Sequence, residues 1–175
     1  MSAKRIFLIG PMGAGKTTLA RHLATALDVP CFDSDEDIVE RTGADIPWIF
    51  DIEGEQGFRD RETQIIDELT QYEDIVLATG GGAVLREQNR QMLSSRGLVV
   101  FLDVSVAAQF RRIAHDKNRP LIQTADPMAR LREMRKQRLP LYQSIADLTI
   151  LTDNENISSA ITKIRAAFEA TQASS

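Results

Sequence analysis

Apolar positions along this chain fall into two textures. Unbroken apolar runs at 5–10 (RIFLIG), 75–78 and 98–103, with two shorter ones at 29–33 and 148–151, read as strands buried on both faces. Between them the apolar residues recur at helical spacing. A helix is predicted over 17–27, with Leu19, Leu23, Ala26 and Leu27 on one face. An acid-rich helical stretch runs to Arg41 and stops at Gly43. Segments 46–52 and 55–70 read as separate helices, the second with Phe58, Ile65, Ile66 and Leu69 in a buried stripe. Further helices are predicted over 106–114, over a basic segment 127–138 expected to end before Pro140, and over 157–170 ahead of a frayed TQASS tail. No element is assigned to 83–97. Residues 115–126 are polar, carry Pro120, and read as a mobile loop.

Strands that alternate with helices, each strand a continuous apolar run, imply an α/β fold: a parallel sheet covered by helices on both faces, three layers in all. The five runs make five strands, and 175 residues fit one domain over 1–175. Ligands of such sheets bind outside the carboxyl ends of the strands. The polar motifs of this chain fall at those ends or in neighbouring connections.

Composition narrows the choices. A hydrophobic share of 43% is ordinary for a globular protein. A net charge of −4 argues against a nucleic-acid binder, yet leaves room for a locally basic site. No apolar run approaches the ~18 residues of a membrane span, and the first ten residues lack a secretory pattern. Cys31 is the sole cysteine, so no internal disulfide forms. The expectation is a cytoplasmic protein, with Cys31, in apolar VPCF, as a buried core thiol.

The segment GPMGAGKT at 10–17 fits G-x-x-x-x-G-K-[ST] and lies between a predicted strand and a predicted helix. Glycines let backbone amides converge on phosphate oxygens, and the helix start adds its positive end. Lys16 should reach the β- and γ-phosphates, and the Thr17 hydroxyl should sit on magnesium. For a second magnesium contact two carboxylates compete, Asp103 at the end of VVFLD and Asp33 in CFDSD. A phosphate loop alone does not choose between switch, motor and transferase.

Several features serve no nucleotide. Asp33 and Asp35 flank Ser34 after the second strand; they can divide labour between a metal and a hydroxyl, or cap a helix with an acidic first turn. In GEQGFRDRE, Arg59 and Arg61 face either a ligand or their acidic neighbours. Gly80, Gly81 and Gly82 follow a strand and leave the backbone open to close approach, or simply form a tight turn. From 111 onward the chain is rich in arginine (Arg111, Arg112, Arg119, Arg130, Arg132, Arg135 and Arg138). Arginine's planar fork pairs bidentately with carboxylates and phosphates. Arg119, just before Pro120, could swing over a phosphate on a closing lid.

Taken together, the phosphate loop, DSD, GEQGFR, GGG, NRPL and RLPLY resemble the shikimate kinase family in order and spacing, over almost the whole chain. PWIF–DIEGEQGFRDRE and ATGGG look most like its enterobacterial-type members. The resemblance implies the P-loop kinase fold of the nucleoside-monophosphate-kinase-like group, with five parallel strands in order 2-3-1-4-5. It also implies transfer of the ATP γ-phosphate to the 3-hydroxyl of shikimate, on the route to chorismate and the aromatic amino acids. ATP is then a co-substrate held by Gly13, Ala14, Gly15, Lys16, Thr17 and Thr18, with Arg112 stacking on adenine and Arg119 meeting the phosphates. One Mg2+ per subunit is implied beside Thr17 and Asp33, which decides against Asp103. Asp35 is implied as the residue that binds the substrate hydroxyls and serves as base. Arg59 and Arg138 are the implied carboxylate-binding pair, Gly80, Gly81 and Gly82 line the substrate pocket, and Phe50 and Phe58 pack near the ring. Lys16, Asp35 and Arg119 are the implied catalytic set. A lid over about 115–126, a substrate-binding region over about 34–62, a monomer, and no nucleic-acid or membrane partner complete the expectation. Its rivals are another small-molecule kinase on the same scaffold and a nucleotide switch, although the N-K-x-D motif of guanine switches is absent.

Overall fold

The computed structural model describes residues 2–114 and 124–175. Five strands, β1 Arg5–Ile9, β2 Cys31–Asp33, β3 Ile75–Ala78, β4 Leu98–Asp103 and β5 Leu148–Leu151, pair in parallel in the order β2-β3-β1-β4-β5. The helices are α1 Lys16–Leu27, α2 Ser34–Thr42, α3 Ile46–Leu69, α4 Glu87–Arg96, α5 Val106–Ile113, α6 Pro127–Ile145 and α7 Ile157–Ala173.

Two cores explain the unbroken strand runs. Ile6 and Leu8 of β1 pack with Leu19 and Leu23 of α1 and Ile164 of α7. Their chain neighbours Phe7 and Ile9 turn to the other face, among Phe58 and Ile66 of α3, Leu93 of α4 and Tyr142 of α6. Side chains alternate across a strand, so a sheet with helices on both sides needs apolar residues at every position. Among the described residues no helix is long and apolar enough to cross a membrane.

Within α3, Gly54 has φ 73° and ψ 176°, which splits the element into two helices at the place where the two predicted segments part. Other expectations are corrected. Helix α6 does not end before Pro140 but runs through it to Ile145. An interior proline costs about 3 kcal/mol. Here Pro140 is exposed, where water can replace the missing N–H, and buried Arg138 and Tyr142 on either side hold the helix to the protein. Helix α4 and a 3-10 turn, Ala83–Leu85, occupy the stretch that carried no assignment. Of α4 only Asn89, Met92 and Leu93 are buried, too few to leave a readable stripe. Helix α1 buries Ala20 and Ala24 and exposes Ala26, because the sheet selects among alanines that all fit a helix. Helix α7 extends to Ala173, so most of the tail expected to fray is helical. Cys31 is exposed rather than buried, since among the described residues β2 pairs with β3 alone and forms the sheet edge.

Candidate active site

The phosphate loop bends from β1 into α1. Gly15, at φ 90°, is the N-cap of α1; it supplies no side-chain cap, and the first turn holds no acidic residue. The amides of Gly13, Gly15, Thr17 and Thr18 donate to no acceptor among the described residues, which leaves an anion-binding helix start. Lys16 is 8% exposed and its Nζ donates to the carbonyls of Gly10 at 2.6 Å and Pro11 at 2.8 Å. The ammonium is therefore held across its own loop. Arg112 donates to the Gly13 carbonyl at 3.0 Å and to the Thr152 carbonyl at 2.7 Å, tying the loop to the segment after β5.

At the end of β2, Asp33 takes the helix-cap alternative and adds a contact with the phosphate loop. One oxygen caps α2, accepting from the amides of Asp35 at 2.9 Å and Glu36 at 3.1 Å. The other accepts from the Thr17 hydroxyl at 2.5 Å. Asp103 is engaged elsewhere, by Arg135 at 2.6 Å, an ion pair that fastens α6 to the end of β4. Asp35, in the first turn of α2, faces the glycine turn. A cleft of about 620 Å³ runs from the phosphate loop to this turn, with Lys16, Thr17, Asp33, Asp35 and Gly80 on its walls.

The three glycines supply space rather than backbone freedom, since none has a positive φ. A Cβ on Gly80 would lie 2.6 Å from Asp35 Oδ1 and 2.9 Å from Glu62 Oε2. One on Gly82 would lie 2.5 Å from Arg59 Nη1, and one on Gly81 3.3 Å from the Met12 amide and 3.7 Å from Arg138 Nη1. The turn is thus where Asp35, Arg59, Arg138 and the phosphate loop meet. Both arginines are buried, at 5% and 7% exposure. Arg59 pairs with Glu62 at 2.9 Å and lies over the Phe58 ring at 5.2 Å. Phe50 packs against Phe58 with 4.9 Å between centroids and the rings tilted by 33°. Burial pulls the Arg138 guanidinium below its ordinary range. Arg61, by contrast, makes an exposed pair with Glu53, the surface reading of that motif.

Three contributors were not singled out from the sequence. Ser34 accepts the Gly80 amide at 3.0 Å and so docks α2 on the turn. Glu62 is fully buried; desolvation pushes its carboxyl up, while Arg59 pulls it back down. Its signal was its place one turn after Arg59. Tyr142, one turn after Arg138 in RLPLY, is pushed up to about 12 by burial, so its hydroxyl stays a proton donor at neutral pH. Arg59 Nε, Arg138 Nε and Glu62 Oε2 are buried without a hydrogen-bond partner among the described residues. Buried polar atoms are seldom left unmatched, and two donors and one acceptor gathered at this turn are open to water or to a ligand. Arg119 and most of the expected lid fall within 115–123, outside the described residues.

Comparison with known proteins bears on this geometry. The family model for shikimate kinase matches residues 12–169. A shikimate kinase of Thioalkalivibrio sulfidiphilus is 56% identical over 159 residues, covering 91% of this chain and 84% of its own. One of Haemophilus influenzae is 55% identical over 166 residues, covering 94% of this chain and 92% of its own. Among solved structures, a shikimate kinase from Acinetobacter baumannii in complex with shikimate superposes with a TM-score of 0.92 at 48% identity, over 97% of this chain and 94% of that one. The Aquifex aeolicus shikimate kinase superposes at 0.80 with 32% identity, covering 96% and 98%. With a matching family model, relatives above half identity and the same strand order, this chain belongs to the shikimate kinase family, the P-loop kinases that phosphorylate shikimate with ATP.

Proposed function

We propose that the chain transfers the γ-phosphate of ATP to the 3-hydroxyl of shikimate, giving shikimate 3-phosphate and ADP for aromatic amino-acid synthesis. The observation that carries the assignment of residues is the convergence of two buried guanidiniums and one carboxylate on the 80–82 turn, beside the phosphate loop. Shikimate carries one carboxylate and three hydroxyls. Arg59 and Arg138 take the carboxylate through bidentate, charge-assisted bonds, which fixes the ring. Asp35 holds the 3-hydroxyl in line and accepts its proton as the bond to phosphorus forms. In a loose transition state such positioning outweighs proton abstraction. Lys16, the free loop amides and Arg119 meet charge on the phosphoryl oxygens, and Arg112 stacks on adenine.

Thr17 and Asp33 would hold one Mg2+. Among the described residues no group of three or more His, Cys, Asp or Glu side chains could hold a metal by itself. A hydroxyl and a carboxylate joined at 2.5 Å next to an open helix start suit an ion that takes most of its oxygens from phosphate and water. When bound, the ion neutralises charge on the phosphate oxygens. The same reading includes a single domain over 1–175, a substrate-binding region over about 34–62, and a lid over about 115–126. It also includes a cytoplasmic monomer without nucleic-acid or membrane partners; sedimentation checks the monomer.

The deciding experiment incubates purified protein with MgATP and shikimate and identifies the product by mass. A phosphorylated shikimate is expected; ADP formed at the same rate without shikimate would point to a switch instead. In that assay Arg138→Lys should raise the KM for shikimate about tenfold or more and that for ATP far less, because a point charge replaces a bidentate fork. Equal rises in both would place Arg138 away from the shikimate carboxylate.

A further inference from the structure

The proposed function uses Arg138 and gives no task to Tyr142, its neighbour one turn along α6. Yet Tyr142 is 3% exposed, and its ring stacks on Phe101 of β4 with 4.9 Å between centroids and 19° between planes. The position of the hydroxyl is therefore set by the central sheet rather than by a loop. That hydroxyl donates to the Gly81 carbonyl at 2.5 Å. Gly81 and Gly82 are the middle residues of a turn closed by the Ala83 amide on the Gly80 carbonyl at 3.1 Å. Gly82, at φ −94° and ψ 7°, has the third-position geometry of a type I turn. Neither the Gly81 nor the Gly82 amide donates to an acceptor among the described residues.

These facts are linked by the planarity of the peptide. In a trans unit the carbonyl and the next N–H point in opposite directions. Anchoring the Gly81 carbonyl therefore fixes the Gly82 N–H to point away from Tyr142. The other side of Gly81 backs onto the phosphate loop at Met12 and onto Arg138. One tyrosine hydroxyl thus sits where turn, loop and guanidinium come together, and touches none of the reacting atoms.

We propose that Tyr142 is a positioning residue for the acceptor substrate: through the Gly81 carbonyl it sets the orientation of the Gly81–Gly82 peptide and, beside it, the seat of Arg138. The inference rests on the shikimate kinase reading of the site. Without the hydroxyl the turn keeps its sequence but gains a second peptide orientation, and the pocket must be reorganised each time shikimate binds.

Tyr142→Phe tests this, since it keeps the ring and the stack and removes only the oxygen. The KM for shikimate should rise about five- to tenfold, the scale for losing the hydroxyl's bonds to the Gly81 carbonyl and the Arg138 guanidinium, while kcat and the KM for MgATP stay within about twofold. Ile164→Val, in the core on the opposite face of the sheet, supplies the reference for plain destabilisation. It should lower the melting temperature and leave the shikimate KM unchanged. A shikimate KM within about twofold of the parent in Tyr142→Phe, or equal rises in both KM values, would overturn the proposal. A second measurement does not need turnover. In the parent, shikimate alone should shift the 15N–1H resonance of Gly82, and at equal saturation that shift should shrink in the variant. A Gly82 resonance that ignores shikimate in the parent also overturns it. A parent that does not phosphorylate shikimate removes the functional reading and this inference together, whereas an active parent with an unchanged variant removes only the inference.

Discussion

Lys16→Ala should reduce phosphoryl transfer by at least about 10³-fold, the scale for losing a principal cation at a transferring phosphoryl group. Two effects add. The ammonium sits across the phosphate loop, on the Gly10 and Pro11 carbonyls, so its removal takes a donor from each, leaves Pro11 only the longer bond from the Ala14 amide at 3.3 Å, and loosens the loop. The larger effect is electrostatic. Lys16 is nearly buried, so its charge acts on phosphate oxygens through little water. Loosening alone would show as a lower melting temperature and a higher KM for ATP; loss of the charge shows in kcat. The variant should therefore stay folded, with a modest fall in melting temperature and a collapsed kcat. A kcat within about threefold of the parent would falsify the role given to Lys16.

Asp35→Asn should lower kcat by about 10²-fold or more, the range for acid–base groups, with little change in the KM for ATP. The substitution is informative because of the packing. Asp35 Oδ1 lies over the α-carbon of Gly80, where there is no room for a bulkier group, and asparagine matches aspartate in shape. The amide of residue 35 still donates to Asp33, so the cap of α2 and the Asp33–Thr17 contact survive. Only the charge and the proton-accepting ability are lost. The fall should be smaller than for Lys16→Ala, because an asparagine oxygen can still orient the hydroxyl. An unchanged kcat would remove Asp35 from the reaction; a loss confined to the shikimate KM would reduce it to a binding group.

Much of this architecture was legible because its signals are local. The phosphate loop is a contiguous motif whose flanking strand and helix follow from short-range pattern, and β1 and α1 form where that pattern puts them. The two-part helix at 46–70 was readable because Gly54 interrupts a helical rhythm that resumes after it. Misreadings arose where burial depends on a partner far along the chain. Pro140 resembles a stop, but buried side chains on both sides carry the helix past it. Helix α4 has too small a buried face to be seen in its own sequence. Cys31 sits in apolar company in the chain and at an open edge in space. Of the candidate site, the residue types were visible while their burial was not. Arg59 and Arg61 look alike in GEQGFRDRE, yet one is closed inside with Glu62 and the other pairs with Glu53 in solvent.

The sequence by itself determined the α/β class, the five strands, the phosphate loop and, through motifs in a familiar order, the family. Each of these is written in short stretches, where residue type and spacing limit what the backbone can do. Only the tertiary structure decided which carboxylate meets Thr17, which side chains occupy the space that the glycines at 80–82 leave open, and what Tyr142 touches. Those answers depend on distances between α2, α3, α6 and the turn after β3, elements far apart in the chain that the sheet brings within a few ångströms. Such contacts are set by packing of the two cores, a property of the whole chain that no single segment encodes.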